Sequence, residues 1–553
     1  MGKYKKNRDR REEKELPSRV EEYVSEENEV RVIDYYVDSL DIERLGIKRA
    51  RETKMGAPTY DPRDLIKLYI YGYINKIRSS RRLMQEARRN IEVMWLINEL
   101  KPDFRTISDF RKDNIEGLKG IYRDFNRMCI KLNLFSNELI SQDGSKFKAV
   151  NSKAKNYTLN KIDDAIKRLD KKAEEYIESI GASEEEERIK IEVNIKEVKG
   201  RMAKYRKMQE KMEKEGIRQI SETDEDSRLM KCNGNMLVGY NVQTIVEGKN
   251  KLICNYEVTN ACNDNGLMGK IGEETKEILG VERIEQLADG GYKNKEDIKY
   301  CLEHKIIPVL PEGKYEIEYE YEEEKVSEEE KEGRRAKDIR KCFKAGIKPE
   351  CYKDLDIEVK VVEKEIRKGE EKESPYKSAE EMKERAKEGY FVRDKERNIV
   401  YCKEGEELRH KSFNSGKERY CNKLACRRCK DKCCEAQYKT VDFNEWEYEK
   451  SLKRVAPRGK VIGKKKIVKV IYRPDKEKYK KRKELSEHPF GTVKRAMGSD
   501  YLLLKGKKKV SGEMALTFLA YNFKRVIKIF GVKNLIENMK KVQKEWIASG
   551  QLA

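Results

Sequence analysis

Histidine is scarce in this 553-residue sequence, which contains only His304, His410 and His488. The sequence therefore offers few histidines for catalysis or metal binding by several imidazole groups, which favours carboxylates as the functional groups. Long apolar runs are missing too, since no stretch approaches the roughly 18 residues that cross a bilayer. The segment from Met1 to Glu15 is densely charged and lacks the apolar core of a secretion signal. These absences count against membrane-spanning and secreted classes.

Positive charge dominates what is present. Charged residues make up 41% of the chain, the formal net charge is +22 and the pI is near 9.1. Such a balance favours a polyanionic partner: DNA, RNA or an acidic membrane surface. We expect a cytoplasmic protein that works on nucleic acid, and the length suggests roughly three domains.

Three acidic residues stand out by their context. Asp143 lies in Gln-Asp-Gly-Ser-Lys, Asp289 lies in Ala-Asp-Gly-Gly-Tyr, and Glu487 precedes His-Pro-Phe-Gly. Cutting and rejoining phosphodiesters needs an activated oxygen nucleophile and a stabilised leaving oxygen, which two divalent ions about 4 Å apart can supply. Magnesium prefers hard oxygen ligands, so these carboxylates suit it.

Together the three motifs resemble the metal-binding triad of the DDE transposases of bacterial insertion sequences. The resemblance implies that Asp143, Asp289 and Glu487 hold two Mg²⁺ (or Mn²⁺) ions. It also implies metal-dependent cleavage at the element's ends, strand transfer of the freed 3′ hydroxyl into target DNA, a homodimer on paired ends, and a nucleoid-associated location. Asp264 is the rival for the second acid, because it too follows a predicted strand.

Basic residues near the acids are candidate DNA contacts. One branch of the resembled family places Tyr, Arg, Glu and Lys at fixed spacing, and Lys494 follows Glu487 at the expected distance, whereas the Arg and Tyr positions hold Lys483 and Lys480. As a point charge, Lys494 would neutralise a phosphate near the scissile bond. The predicted DNA-binding residues are Lys494, Lys146, Arg495, Arg111 and Lys112.

The pattern of elements predicts a mixed α+β (or α/β) fold with an RNase H-like sheet and flanking helices. The expected divisions are a helical DNA-binding domain (1–135), a first core part (136–311) with a helical-arm insertion (158–220), a charged insertion (312–460), and a second core part with the third acid and a C-terminal helix (461–553). In the arm, Lys and Glu at i,i+4 spacing predict two helices, 160–180 and 184–214, whose role could be DNA contact, dimer contact or spacing.

Local signals set further expectations. A capping box at Thr106 to Asp109 predicts the start of one helix running through Phe125. The exposed face of this helix is rich in Arg and Lys, for which the family resemblance implies DNA contact and a solvated charged surface is the open alternative. Tyr479 to Met497 predicts a helix that carries Glu487 despite Pro489. The acidic stretches 318–322 and 327–335 are expected to be solvated or flexible.

Six of the thirteen cysteines crowd into residues 402–434. The two-residue spacing of Cys426 and Cys429 lets one turn present two thiolates to a tetrahedral ion, with Cys433 or Cys434 within reach. We expect a structural zinc knuckle in 390–440, with Cys402, Cys426, Cys429 and Cys433 as first choice. The resemblance supports zinc, because related transposases carry a similar knuckle, but which thiols bind stays open.

Two other functions fit the same sequence. The chain could be a sequence-specific DNA-binding protein derived from a transposase that has lost catalysis. It could also be a metal-dependent nuclease that cuts without joining.

Overall fold

The computed structural model describes most of the chain: residues 17–50, 59–180, 184–232, 234–322, 338–366, 378–394, 396–414, 417–431, 433, 437–444, 452–454 and 463–548. The chain forms two compact units, the first from residues 1–317, 354–356 and 472–553 and the second from 318–353 and 357–471. Within the described ranges, no helix is both long enough and apolar enough to cross a membrane.

The first unit begins with helices. They are α1 Val30–Asp38, α2 Pro62–Ile74, α3 Ser80–Arg89, α4 Ile91–Leu96, α5 Phe104–Asp113 and α6 Ile115–Lys131. The prediction of one helix starting at the Thr106 capping box was wrong. The side chain of Asp103 accepts a hydrogen bond from the amide of Arg105 and starts α5 earlier, and the helix ends at Asn114 before α6 begins.

A six-stranded mixed sheet follows, in the order β4-β5-β1-β7-β8 with β6 beside β5. The strands are β1 Leu139–Lys148, β4 Arg228–Cys232, β5 Asn235–Glu247, β6 Ile253–Thr259, β7 Ile284–Leu287 and β8 Ile306–Val309, with α9 Met268–Leu279 and α10 Lys295–Glu303 beside them. Strands β5 and β6 form an antiparallel hairpin. The central strand β1 is antiparallel to β5 and parallel to β7, so the fold is mixed α+β.

Between β1 and β4 the chain leaves the sheet as a helical arm. It consists of α7 Leu159–Ile180 and α8 Glu185–Glu215, close to the predicted bounds. At its base, β2 Asn156–Tyr157 pairs with β3 Ile220–Ser221 in a two-residue ladder. The arm therefore closes on itself where it joins the sheet.

Helices also complete the first unit. They are α14 Lys476–Lys480, α15 Arg482–Gly491, α16 Lys507–Phe530 and α17 Val532–Ala548, and α15 continues into one π-helical stretch, Thr492–Ala496. The buried helix α16 packs against the N-terminal helices, where Phe523 stacks on Phe125 at 4.2 Å and meets Tyr36 at 5.1 Å. The N-terminal helices and the sheet thus share one hydrophobic core.

Arg111 lies inside this core, 5% exposed. Its guanidinium donates to the Tyr73 hydroxyl and the Arg78 carbonyl, each at 3.1 Å. Arg78 in turn lies 3.6 Å from the buried carboxylate of Glu513 on α16. The prediction that Arg111 contacts DNA was therefore wrong, because its charge is used inside the protein to join the N-terminal helices to α16.

The second unit contains two small sheets, β10-β17-β9 and β15-β14-β13-β12-β11-β16. Its elements are β9 Tyr315–Glu320, α11 Ile339–Lys344, β10 Asp356–Ile366, α12 Ala379–Lys387, β11 Tyr390–Asp394, β12 Ile399–Tyr401, β13 Glu407–Asn414, β14 Lys417–Cys421, α13 Lys423–Arg428, β15 Thr440–Asn444, β16 Leu452–Arg454 and β17 Gly463–Arg473. The first residues of stretch 318–322, which was predicted to be solvated, belong to β9. The side chains of Ile317 and Tyr319 lie on the same face of this strand and are buried in the core. Stretch 327–335 lies outside the described residues.

Glu247 fixes the β5–β6 turn. Its buried carboxylate accepts hydrogen bonds from four backbone amides. Replacing Glu247 with Ala leaves these amides without an acceptor, and we expect a loss on the order of 2–4 kcal/mol in the free energy of unfolding. Urea denaturation followed by circular dichroism measures it. Glu282→Ala is the control, since Glu282 is 89% exposed in a surface ion pair; equal losses in both variants would contradict this reading.

Candidate active site

The register of the central strands sets Asp143 and Asp289 side by side. Strand β1 pairs in parallel with β7 so that Ser141 lies opposite Leu287. Asp143 is two residues beyond Ser141 and Asp289 is two residues beyond Leu287. The two carboxylates therefore lie level with each other, Asp143 within β1 and Asp289 just past the end of β7.

The surroundings of Asp143 work against its negative charge. Burial raises the pKa of Asp143 to about 6, and the nearby carboxylate of Asp289 adds to the rise. Arg482 and a 2.9 Å hydrogen bond from the Gly144 amide oppose it. Across the ladder lies Thr244, whose buried hydroxyl has no hydrogen-bond partner among the described residues. A cation bound here would offset the crowding of negative charge.

Helix α15 covers the face of β1 that bears Asp143. Alternation along the strand puts Asp143 and Phe147 on the same face, and the Phe147 ring lies 6.2 Å from Phe490 of α15. Leu485, one turn earlier, packs against Leu287 of β7. Glu487 lies between these two contacts on the same helix, with an exposed side chain.

Asp264, the rival second acid, lies on the opposite face. It accepts hydrogen bonds from Asn241 and Gln243, each at 2.7 Å, and pairs with Lys146 at 3.3 Å. Gly144 faces this carboxylate, and a Cβ there would overlap both Gln243 and Asp264. The glycine after Asp143 thus makes room for Asp264, whose carboxylate also adds to the rise in the pKa of Asp143.

A buried polar layer beneath the acids was missed in the sequence. Gln286 donates to Gln142, Gln142 donates to Gln243, and the Tyr292 hydroxyl donates to the same Gln243 oxygen. These contacts join β7, β1 and β5 and fix the turn that follows Asp289. The only sequence signal was polar glutamine at positions where core strands are usually apolar.

Arg482 lies one residue from the position where the family spacing places arginine, which Lys483 occupies, so the pattern in the sequence is matched only in part. The structure places Arg482 close enough to lower the pKa of Asp143, while Lys483 is exposed. Arg482 also donates to Ser486 one turn along α15, at 3.4 Å. The helix therefore presents an arginine to the acids.

The predicted DNA-binding lysines have different surroundings. The ammonium of Lys494 donates to the Lys146 carbonyl at 2.8 Å and lies 4.5 Å from the centre of the Phe147 ring. Lys146 is held by Asp264 and is mostly buried, whereas Arg495 and Lys112 are exposed. Of this set, Lys494 and Arg495 lie nearest the helix that carries Glu487.

Cysteines between residues 402 and 433 of the second unit line one pocket of about 850 Å³. Burial raises the pKa of the Cys402 thiol, and the thiols of Cys429 and Cys426 are near enough to add to the rise. Cys421 and Cys433 line the same pocket; Cys434 lies outside the described residues. In the described part of the chain, however, no three His, Cys, Asp or Glu side chains are arranged to hold a metal ion. The structure brings Asp143 and Asp289 together but not Glu487, so the magnesium triad and the zinc knuckle both stay predictions.

Asp143→Asn tests whether the crowding of negative charge is real. Because the pKa of Asp143 is raised from 3.8 to about 6, the ionised carboxylate destabilises the folded chain above that pH. In metal-free buffer at pH 7.5 we expect the variant to be more stable to urea by on the order of 1–2 kcal/mol. The gain should shrink as the pH falls through about 6 toward the unfolded value. Magnesium should stabilise wild type and leave the variant unchanged.

Asp164→Asn, at an exposed position on α7, is the control for that measurement and should change neither stability nor the response to magnesium. A variant at position 143 that is less stable than wild type without metal would contradict the electrostatic account.

Two transposase family models match this chain. A transposase domain (DUF772) matches residues 18–113, which contain most of the N-terminal helices. A transposase DDE domain matches residues 215–523, more than half of the chain, including Asp289 and Glu487. Asp143 lies outside the matched range, because it precedes the arm in the chain. No curated protein and no solved structure matches the chain significantly. On the strength of these two models and the geometry of β1 and β7, the chain belongs to the DDE transposase family.

Proposed function

We propose that the chain is an active transposase that cleaves DNA at the ends of its insertion sequence and transfers the 3′ hydroxyl to target DNA. The observation that carries the proposal is the level placement of Asp143 and Asp289 on parallel strands, beneath a helix that bears Glu487. A mixed sheet with carboxylates at neighbouring strands agrees with the RNase H-like fold that the family implies. The homodimer on paired ends and the nucleoid location belong to the same proposal.

Asp143, Asp289 and Glu487 would hold the magnesium ions, which supply an activated oxygen nucleophile and stabilise the leaving oxygen. The oxygen donors suit a hard cation, and the raised pKa of Asp143 marks a site where negative charge is uncompensated. Lys494 lies at the rim of the same face of β1, where its ammonium can contact a phosphate. Arg482 lowers the pKa of Asp143 and so offsets part of the effect of burial.

Cleavage and joining of labelled DNA ends from the chain's own element tests this function. With magnesium, wild type should give cut and joined products, while Asp143→Asn, Asp289→Asn and Glu487→Gln should each lower both by at least about 100-fold without loss of DNA binding. Glu484→Gln is the matched control, because Glu484 is exposed on the same helix and forms an ion pair with Lys251.

Three outcomes would overturn the assignment in different ways. Wild type that binds without cutting would indicate a DNA-binding protein that has lost catalysis. Cutting without joined products would indicate a nuclease. Full activity in Asp289→Asn, with loss in Asp264→Asn, would make Asp264 the second acid.

We further propose that the cysteine pocket holds a structural zinc ion. Soft thiolates suit zinc, and the nearness of Cys402, Cys426 and Cys429 supports the idea. Purified chain should contain about one zinc per molecule, and Cys426→Ser or Cys429→Ser should remove it and lower the melting temperature. Cys262→Ser, at an exposed cysteine of the first unit, should change neither. Zinc-free wild type with an unchanged melting curve would refute the site.

A further inference from the structure

Helix α8 has two faces with different partners. Its inner face packs on α7 through buried Val198 and Met202 in the arm's middle, and through Met208 and Met212 near its base. On the opposite side an outer stripe repeats at alternating spacings of four and three residues, as in a coiled-coil seam. The outer stripe is Ile189, Val193, Lys196, Gly200, Ala203 and Lys207, and every one of these residues is exposed.

No contact among the residues that the structure describes explains the composition of the outer stripe. Ile189 is 61% exposed and Val193 is 53% exposed, although both are large and apolar. Gly200 interrupts a 31-residue helix, where glycine costs roughly 1 kcal/mol relative to alanine. A Cβ at this position would meet no atom of the described residues within 4 Å, so no contact among them requires the glycine. Large side chains at one end and small ones further along suit a second helix that packs closely.

The charges beside the outer stripe are complementary to those of a second, antiparallel copy of the same helix. One flank carries Glu185, Glu192, Lys199 and Arg206 at seven-residue intervals, acidic toward the start of α8 and basic toward its end. All four are exposed. In an antiparallel pair of identical helices each flank faces the same flank of the other helix, so the acidic half meets the basic half.

We propose that the outer stripe of α8 pairs antiparallel with α8 of a second copy of this chain, the helices crossing between Val193 and Lys196. In this register Ile189 faces Gly200 of the partner subunit. Glu185 faces Arg206 of the partner subunit, and Glu192 faces Lys199 of the partner subunit. On the other flank, Lys190 faces Glu197 of the partner subunit. Two-fold symmetry makes each of these contacts twice.

Charge favours a second copy over DNA as the occupant. A phosphate backbone would meet Lys199 and Arg206 well but would be repelled by Glu185 and Glu192 on the same flank. It would also leave Ile189 and Val193 in water. A second α8 covers Ile189, Val193, Lys196 and Gly200, the part of the outer stripe around the crossing point.

Charge reversal on the full-length chain, without DNA, tests the pairing. Sedimentation equilibrium of wild type should show a dimer that weakens as salt rises, because the flanking pairs are exposed. The acidic-half variant E185K/E192K and the basic-half variant K199E/R206E should each raise the dissociation constant at least about tenfold. Mixed together, these two variants should form a 1:1 heterodimer, and the quadruple variant should regain the homodimer.

Gly200→Leu tests the close approach without changing charge. The site has open space in the single chain, so circular dichroism should show full helix content while dimerisation is lost. The control E174K/E178K changes the same number of charges at exposed positions on α7 and should leave the dimer intact.

Each other result would overturn the proposal. A wild-type chain that stays monomeric would exclude the pairing, and a dimer indifferent to all α8 variants would place the contact elsewhere. Failure of the two charge variants to associate would refute the antiparallel register. If K199E/R206E weakened DNA binding but not dimerisation, the outer stripe would be a DNA contact instead. DNA cleavage does not enter any of these readouts, so failure here leaves the proposed chemistry untouched.

Discussion

The parallel register of β1 and β7 is the constraint on which the catalytic region depends. Backbone hydrogen bonds between these strands, not any side-chain contact, bring Asp143 and Asp289 to the same level although they are far apart in sequence. A slip of one residue would turn Asp143 to the opposite face, where Asp264 already lies. The buried glutamine and tyrosine layer that joins β1, β5 and β7 reinforces this register.

The site also shows a conflict between stability and chemistry. The pKa of Asp143 is raised because the fold buries a carboxylate and brings a second one near it. A packed apolar residue in that place would make a more stable strand. The chain keeps the unfavourable charge and counters it only in part with Arg482, which is what a cation-binding surface requires.

Local patterns in the sequence predicted much of this arrangement. Strand alternation, the two glycine-linked aspartates and the i,i+4 charges of the arm gave the correct element types, because each depends on nearby residues. Predictions that depended on burial failed. Arg111 sits in a basic stretch that suggested a DNA-facing surface, yet Tyr73 and Arg78, distant in sequence, draw it inside. The family spacing put Lys483 at the arginine position with Arg482 one residue away, and it is Arg482 that lies near Asp143, because spacing alone does not show how a helix is rotated against a sheet.

The two-residue ladder between β2 and β3 closes the arm at its base. Because this ladder joins the two ends of the arm, the length of the arm adds almost nothing to the entropy cost of closing the loop between β1 and β4. Whole helical turns can therefore be gained or lost in the arm without moving either strand. In evolutionary terms the arm can diverge quickly while the acids stay in place. Transposases of related insertion sequences in one cell could then keep the same chemistry and yet differ in the outer stripe of α8, the surface by which a chain would distinguish its own copies from related ones.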